Sequence, residues 1–177
     1  ATKTTRTFHG DVFIDASYEG DLMAGAMVPY RVGREARAEY GELLAGVSMG
    51  PKEQRGMGDH RSMAYNYRVT VTSDTTNRVL FSKPEHYDPA PFIATHGKRI
   101  IEGRVQGFGD FFTTIDKAHP GLKYDANWFD WPGNSEGYAE GSWELRDRIA
   151  ARIRDRALSL LYYVQNDPAL PEAFLIE

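Results

Sequence analysis

The chain has 177 residues, the size of one ordinary domain and enough to bury a real core. Hydrophobic residues make up 41% and charged residues 26%, a globular balance, and the net charge of −4 leaves no basic excess for a nucleic-acid partner. The absence of cysteine excludes a disulfide framework, thiolate metal sites and a cysteine nucleophile.

In chain order, Ala1 to Arg6 reads as an extended segment, and Asp11 to Asp15 as a short apolar strand bracketed by acids. Gly20 to Ala26 is small and apolar and opens a helix, with Asp21 in the first turn, where the helix dipole favours negative charge. Arg34 to Leu44 predicts a short helix that Gly41 weakens and Gly46 stops. Met49 to His60 carries glycines and a proline and reads as loop. Tyr65 to Thr72 alternates aromatic and β-branched residues with polar ones and is the clearest strand. A polar turn at Asp74 to Asn77 predicts a return strand at Arg78 to Phe81. Phe92 to Gly103 fits helix or strand. Ser142 is a good N-cap, and Ile149, Ile153, Ala157, Leu160, Leu161 and Val164 then recur at helical spacing. They predict a long amphipathic helix from about 143 to 165, ended by Asn166-Asp167-Pro168. The pattern is α+β, a mixed α/β chain with a mixed or antiparallel sheet. No strong linker divides it, so one compact unit is expected. No apolar run reaches the roughly 20 residues of a membrane helix, and the first ten residues lack the apolar stretch of a signal peptide. The expected chain is soluble, with a cytoplasmic or an exported location equally open.

The most informative block is Val12-Phe13-Ile14-Asp15-Ala16-Ser17-Tyr18-Glu19-Gly20-Asp21-Leu22. A short strand, a tight turn and a helix start can present amides to phosphate and carboxylates to sugar hydroxyls. The plainer reading is a strand, an acidic turn and a helix cap. The block resembles a signature of FAD-dependent oxidoreductases, flavoproteins of the two-dinucleotide-binding-motif type, whose usual form there is close to F-I-D-A-T-Y-E-G-D-L. The likeness continues through Val28 to Glu35, Glu39 to Glu42, Ala45 to Val47, Ala64 to Arg68 and Asn77 to Val79. It returns at Lys83 to Pro89 and at Leu160 to Pro171, and is weakest between Phe92 and Trp131.

The resemblance implies FAD as cofactor and hydride transfer from an organic substrate to the flavin. It places Asp15, Ala16, Ser17, Glu19, Gly20 and Asp21 near the cofactor, with Ser17 keeping the hydroxyl of the family's usual threonine. It implies that residues 1–26 form the end of the FAD-binding sheet and its turn, and residues 27–177 a substrate-side region. The family also carries a G-x-G-x-x-G turn that brings backbone amides to the pyrophosphate. Here Gly103, Gly107 and Gly109 have the wrong spacing. The resemblance therefore implies an internal piece of a larger flavoprotein whose own affinity for FAD is weak or absent. Its partners would be a small-molecule substrate, a carbohydrate among the choices, and the rest of the flavoprotein chain or a second copy. Neither nucleic acid nor membrane is expected as a partner.

Tyr124 to Trp143 interleaves Trp128, Trp131, Tyr138 and Trp143 with Asp125, Asp130, Glu136 and Glu140. Aromatic faces with carboxylates suit a sugar site, so a carbohydrate-binding or interaction module on the Trp128/Trp131/Trp143 surface is the competing reading. The plainer one is a loop whose aromatics pin it to the core. By the resemblance, Asn127 and Trp128 are weak substrate contacts. His9, His60, His86, His96 and His119 form no metal-ligand spacing, so no metal is expected and each reads as a surface or locally bonded side chain. His60 and His86 are the two whose loops suit an approach to flavin or substrate. Arg31, Arg34, Arg37, Arg61 and Arg68 read chiefly as surface ion-pair partners. No G-x-S-x-G elbow is present, and no residue is assigned as catalytic.

Overall fold

The computed structural model describes residues 5–72, 74–107, 110, 120–127 and 129–172. The chain divides into two units, Ala1–His60 and Arg61–Glu177.

The first unit is built from turns. Helix α1 (Asp21–Gly25) starts from Gly20, whose φ of 71° lies in the left-handed region. Helix α2 (Arg37–Tyr40) is one turn long, because Gly41 takes a φ of 72° and ends it. The helix expected over 34–44 thus shrinks to its middle. The predicted strand over 11–15 has no ladder partner among the described residues, and Val12, Phe13 and Ile14 are all exposed.

A backbone bridge holds the second half of this unit. Arg34 N–H donates to Asp59 O at 2.9 Å, and Asp59 N–H donates back at 3.0 Å. The Arg34 guanidinium grips the Asp59 carboxylate as well. Inside that closure Val47 and Met57 and then Gly56 and Val47 exchange backbone bonds of 2.9 Å, and Arg37 N–H reaches Gly56 O at 2.8 Å. Glycine is required where strands of backbone cross: a Cβ on Gly33 would lie 2.4 Å from Asp59 O. Among the described residues of this unit only Val47 is buried.

The second unit has a hydrophobic core. Strand β1 (Val69–Thr72) pairs antiparallel with β2 (Lys123–Ala126), with Val69 opposite Ala126 and Thr72 opposite Lys123. Tyr67, Val69 and Val71 face the core with the two-residue period expected of a strand. The predicted return strand at 78–81 does not form. Asp74 instead closes a tight turn, taking the Thr76 amide at 2.9 Å and its hydroxyl at 2.7 Å. Phe81 then packs on the core while its N–H donates to Gln165 Oε1 at 3.1 Å.

Residues 90–101 are helical. Helix α3 (Ala90–Phe92) and helix α4 (Lys98–Ile101) flank a π-helical turn at Ile93–Gly97. The wide turn seats Gly97 against Tyr163 of the long helix, where a Cβ would come within 2.1 Å of the Tyr163 oxygen. Helix α5 (Trp143–Asn166) has the expected span. The Ser142 hydroxyl accepts the Leu145 N–H at 3.3 Å. Ile149, Ile153, Ala157, Leu160, Leu161 and Val164 are all buried, as their spacing predicts. Phe92, Ile100, Val105, Ala126, Phe129 and Leu170 join Ala157, Leu160, Leu161, Tyr163 and Val164 of α5 in one cluster. Each leucine so buried contributes about 1.5–3 kcal/mol relative to exposure. The one charged residue buried on α5, Arg146, donates to the Tyr138 and Ala139 carbonyls at 3.0 and 2.5 Å.

Among the described residues, no helix is long and apolar enough to cross a membrane.

Candidate functional site

The acidic turn at 15–21 is organised by Asp15. Its Oδ1 accepts the Ser17 N–H at 2.9 Å and the Ser17 hydroxyl at 2.7 Å. Its Oδ2 accepts the Met23 N–H at 2.8 Å, at the third position of α1. A carboxylate eight residues upstream therefore caps the helix in place of a local side chain. These bonds hold the carboxyl down at about 2, the Ser17 hydroxyl being the largest cause and the Met23 amide the next. The Ser17 oxygen in turn accepts the Gly20 N–H at 3.1 Å. Gly20 needs its positive φ, and a side chain there would press on Met23 Cε at 3.0 Å.

The sequence places Asp15, Ala16, Ser17, Glu19, Gly20 and Asp21 in one turn, and they do form one. Their roles within it differ. Asp15 and Ser17 spend their polar atoms on the turn itself. The carboxylates of Glu19 and Asp21 stand on the same loop, giving it three acids within seven residues. Such a loop repels phosphate and attracts hydroxyl groups. The Met23 amide, one of the helix-start donors a phosphate would need, is already occupied. The residues thus suit the hydroxyl-bearing part of a nucleotide cofactor better than its pyrophosphate.

The aromatic loop of the second unit is pinned to the segment before β1. Asn66 donates its side-chain amide to Asn127 Oδ1, and its own Oδ1 accepts the Phe129 N–H at 2.9 Å. Ser135, also buried, accepts the Tyr65 N–H at 3.2 Å and donates to Met63 O at 2.9 Å. Tyr65 and Tyr138 meet edge to face at 4.9 Å. Asn127 is thereby positioned by Asn66, a residue the sequence reading passed over. Asn66 is an ordinary polar position in the alternation that runs to Thr72, so nothing in the local pattern singles it out. Trp128 lies outside the described residues. Trp131 is half-buried against Phe129 at 5.7 Å, and Trp143 is 70% exposed at the start of α5 with Arg146 5.0 Å from its ring. Asp125 is bound by Arg68 across the sheet.

Of the histidines, His9, His60 and His86 are exposed, and His119 lies outside the described residues. His96 is half-buried in the π-helical turn, its Nδ1 2.8 Å from the Thr95 hydroxyl. Burial, with Arg99 and Arg156 nearby, pushes its ring down to about 4, so it is neutral at physiological pH. No cluster of metal-ligating side chains occurs among the described residues. Arg31, Arg34 and Arg68 form ion pairs with Glu39, Asp59 and Asp125, as their surroundings predict.

The family model described as FAD dependent oxidoreductase matches residues 1–176. No curated protein matches the chain, and no solved structure matches it.

Proposed function

The chain belongs to the FAD dependent oxidoreductase family, and on that premise we propose that it forms part of an enzyme moving hydride from a small organic substrate to flavin. The match over residues 1–176 is the observation that carries this reading. FAD, the family's cofactor, supplies the two-electron acceptor, and the protein supplies position and electrostatics.

In this reading, residues 1–26 meet the cofactor and residues 27–177 form the substrate side. Asp15 is a positioning residue: its bonds to Ser17 and Met23 fix the turn. Glu19 and Asp21 offer acceptors to cofactor hydroxyls, and Gly20 lets the backbone make the turn without a side chain in the way. Val12, Phe13 and Ile14, exposed and without a ladder partner among the described residues, are the edge on which the rest of a dinucleotide-binding sheet would dock. Burying them would stabilise that assembly by about 1.5–3 kcal/mol per side chain. Asn127, aimed by Asn66, is the proposed substrate contact of the second unit.

Titration of the chain with FAD, followed by flavin fluorescence, tests this. The expected result is colourless purified protein and weak saturable binding that Glu19→Ala with Asp21→Ala abolishes. Yellow protein carrying flavin one to one would overturn the weak affinity. Binding unchanged in the double variant would overturn the role of the turn.

A further inference from the structure

All five methionines of the chain lie between positions 23 and 63, and the sequence beyond Met63 has none. None of them belongs to the hydrophobic core cluster. Met27, Met49 and Met63 are 88%, 84% and 88% exposed, and Met57 follows at 55%. Met23 differs. It is half-buried, and its Cε lies 3.0 Å from where a Cβ on Gly20 would stand. A thioether is ordinarily spent on filling gaps in a core, so three sulfurs held in water have some use other than packing in this chain.

Where these residues support the fold, they do so through the backbone. Met27 N–H donates to Ala24 O at 3.0 Å, and Val28 N–H donates to Met23 O at 3.2 Å. That pair of bonds closes a helix end around a left-handed residue, here Met27 with φ at 58°. Glycine is usual there, because a side chain crowds the backbone in that conformation. The Met27 side chain is thus carried at a steric cost while facing solvent. Met57 O accepts the Val47 N–H at 2.9 Å, and Met63 O accepts the Ser135 hydroxyl at 2.9 Å. A change at the sulfur of any of these leaves the bonds in place. Only Met23 joins the two roles, since its N–H holds Asp15 Oδ2 at 2.8 Å while its methyl end lies against Gly20.

We propose that Met27, Met49 and Met63 are modification sites for peroxide, oxidised reversibly to the sulfoxide before Met23 and without loss of the fold. In the step, the thioether sulfur attacks the O–O bond. One peroxide oxygen passes to sulfur and the other leaves as water, so sulfur is oxidised and peroxide reduced by two electrons. Peroxide must reach the sulfur, so exposure orders the sites: these three first, Met57 next, Met23 last. The sulfoxide is polar and disrupts a core that holds it, but the core cluster here contains no methionine. The sites stand whether or not the chain binds FAD.

The test treats the whole chain, without added cofactor, with hydrogen peroxide at neutral pH. Samples taken over time are digested, and each methionine peptide is followed by mass spectrometry for the gain of one oxygen. Met27, Met49 and Met63 are expected to convert at least about fivefold faster than Met23. Met23 reacting as fast as these three overturns the ordering. In urea all five are expected to react alike, and a Met23 that stays slow there shows that folding is not what protects it, which also overturns the ordering. The folded chain carrying the three sulfoxides is expected to keep its Tm within about 3 °C. A larger fall means that the side chains serve the fold and overturns the proposal. Methionine sulfoxide reductases A and B are expected to return all three to the thioether; sulfoxide that resists both overturns reversibility. The triple variant Met27→Leu, Met49→Leu, Met63→Leu is expected to keep the wild-type Tm and lose most of the rapid oxygen uptake. Uptake as quick as in the wild type assigns the oxygen to other residues and overturns the sites.

Discussion

The two units hold themselves together by different physics. The second buries Phe92, Phe129, Leu160, Leu161 and Tyr163 around one long helix, so its stability grows with apolar area removed from water. The first buries one valine among its described residues and relies on backbone bonds, an Arg34–Asp59 grip and glycines where chain crosses chain. Its large apolar side chains face outward, Tyr18 at 95% and Ile14 at 82% exposure. A core tolerates loss of any one polar contact but not loss of volume. A bonded loop behaves the opposite way. The unit whose turn carries the proposed cofactor contacts is thus the one with the least core of its own, as expected of a surface that other protein completes.

The largest test of that contrast is a cavity in the core. Leu160→Ala should cost about 2–5 kcal/mol in urea unfolding followed by far-ultraviolet circular dichroism, since the side chain is fully buried. A loss below 1 kcal/mol would mean that α5 is not the centre of the unit. Next in size is His96. Its ring is held at about 4 in the folded chain against an ordinary 6.5. A base with a lowered folded value stabilises fully above the unfolded value and loses that stability as pH falls through the folded one. Stability should therefore decline from pH 6.5 to pH 4, by up to about 2 kcal/mol once solvent screening is allowed for. His96→Gln should flatten that stretch of the profile.

Smaller and more local is Gly33→Ala. The φ of 106° and the 2.4 Å approach to Asp59 O leave no room for a methyl group, and a cost of at least about 1–2 kcal/mol is expected. Amide hydrogen exchange should quicken at Arg34 and Asp59 and stay unchanged at Leu160. Quickening at both would break the distinction between the units. Asp15 offers the matching acid test. Its carboxylate bonds are present above the ordinary value of 3.8 and are lost as pH falls through about 2. Exchange at the Met23 amide should lose protection over that window, and Asp15→Asn should lower it already at neutral pH. The smallest effect belongs to Arg68→Ala, which removes an exposed cross-strand pair with Asp125 and should change stability by less than about 1 kcal/mol.

Much of the second unit was legible because local periodicity and tertiary burial agree there. The 3.6-residue recurrence from Ile149 to Val164 marks the face that α5 buries, and Ser142 marks its start. The alternation before Thr72 marks β1. Its partner was hidden: the nearest turn suggested 78–81, whereas Val69 pairs with Ala126, 57 positions away. No local pattern announces so distant a neighbour. In the first unit, the turn at 15–21 was readable from its acids and glycine. The division of labour within it was not, because it depends on Met23 bringing an amide to a carboxylate eight residues earlier.

By itself, then, the sequence determined the α+β character, the long helix and its buried face, the acidic turn and the membership of a flavoprotein family. These rest on spacing within a dozen residues or on a recognisable string, and both are written along the chain. Only the tertiary structure decided which strand pairs with β1 and which carboxylate shapes the turn. It alone showed that Arg156 Nε and Asn134 Nδ2 are each buried without a hydrogen-bond partner among the described residues. Such facts depend on which distant groups folding brings within hydrogen-bond reach, and a directional contact of about 3 Å leaves no trace in the spacing of residues.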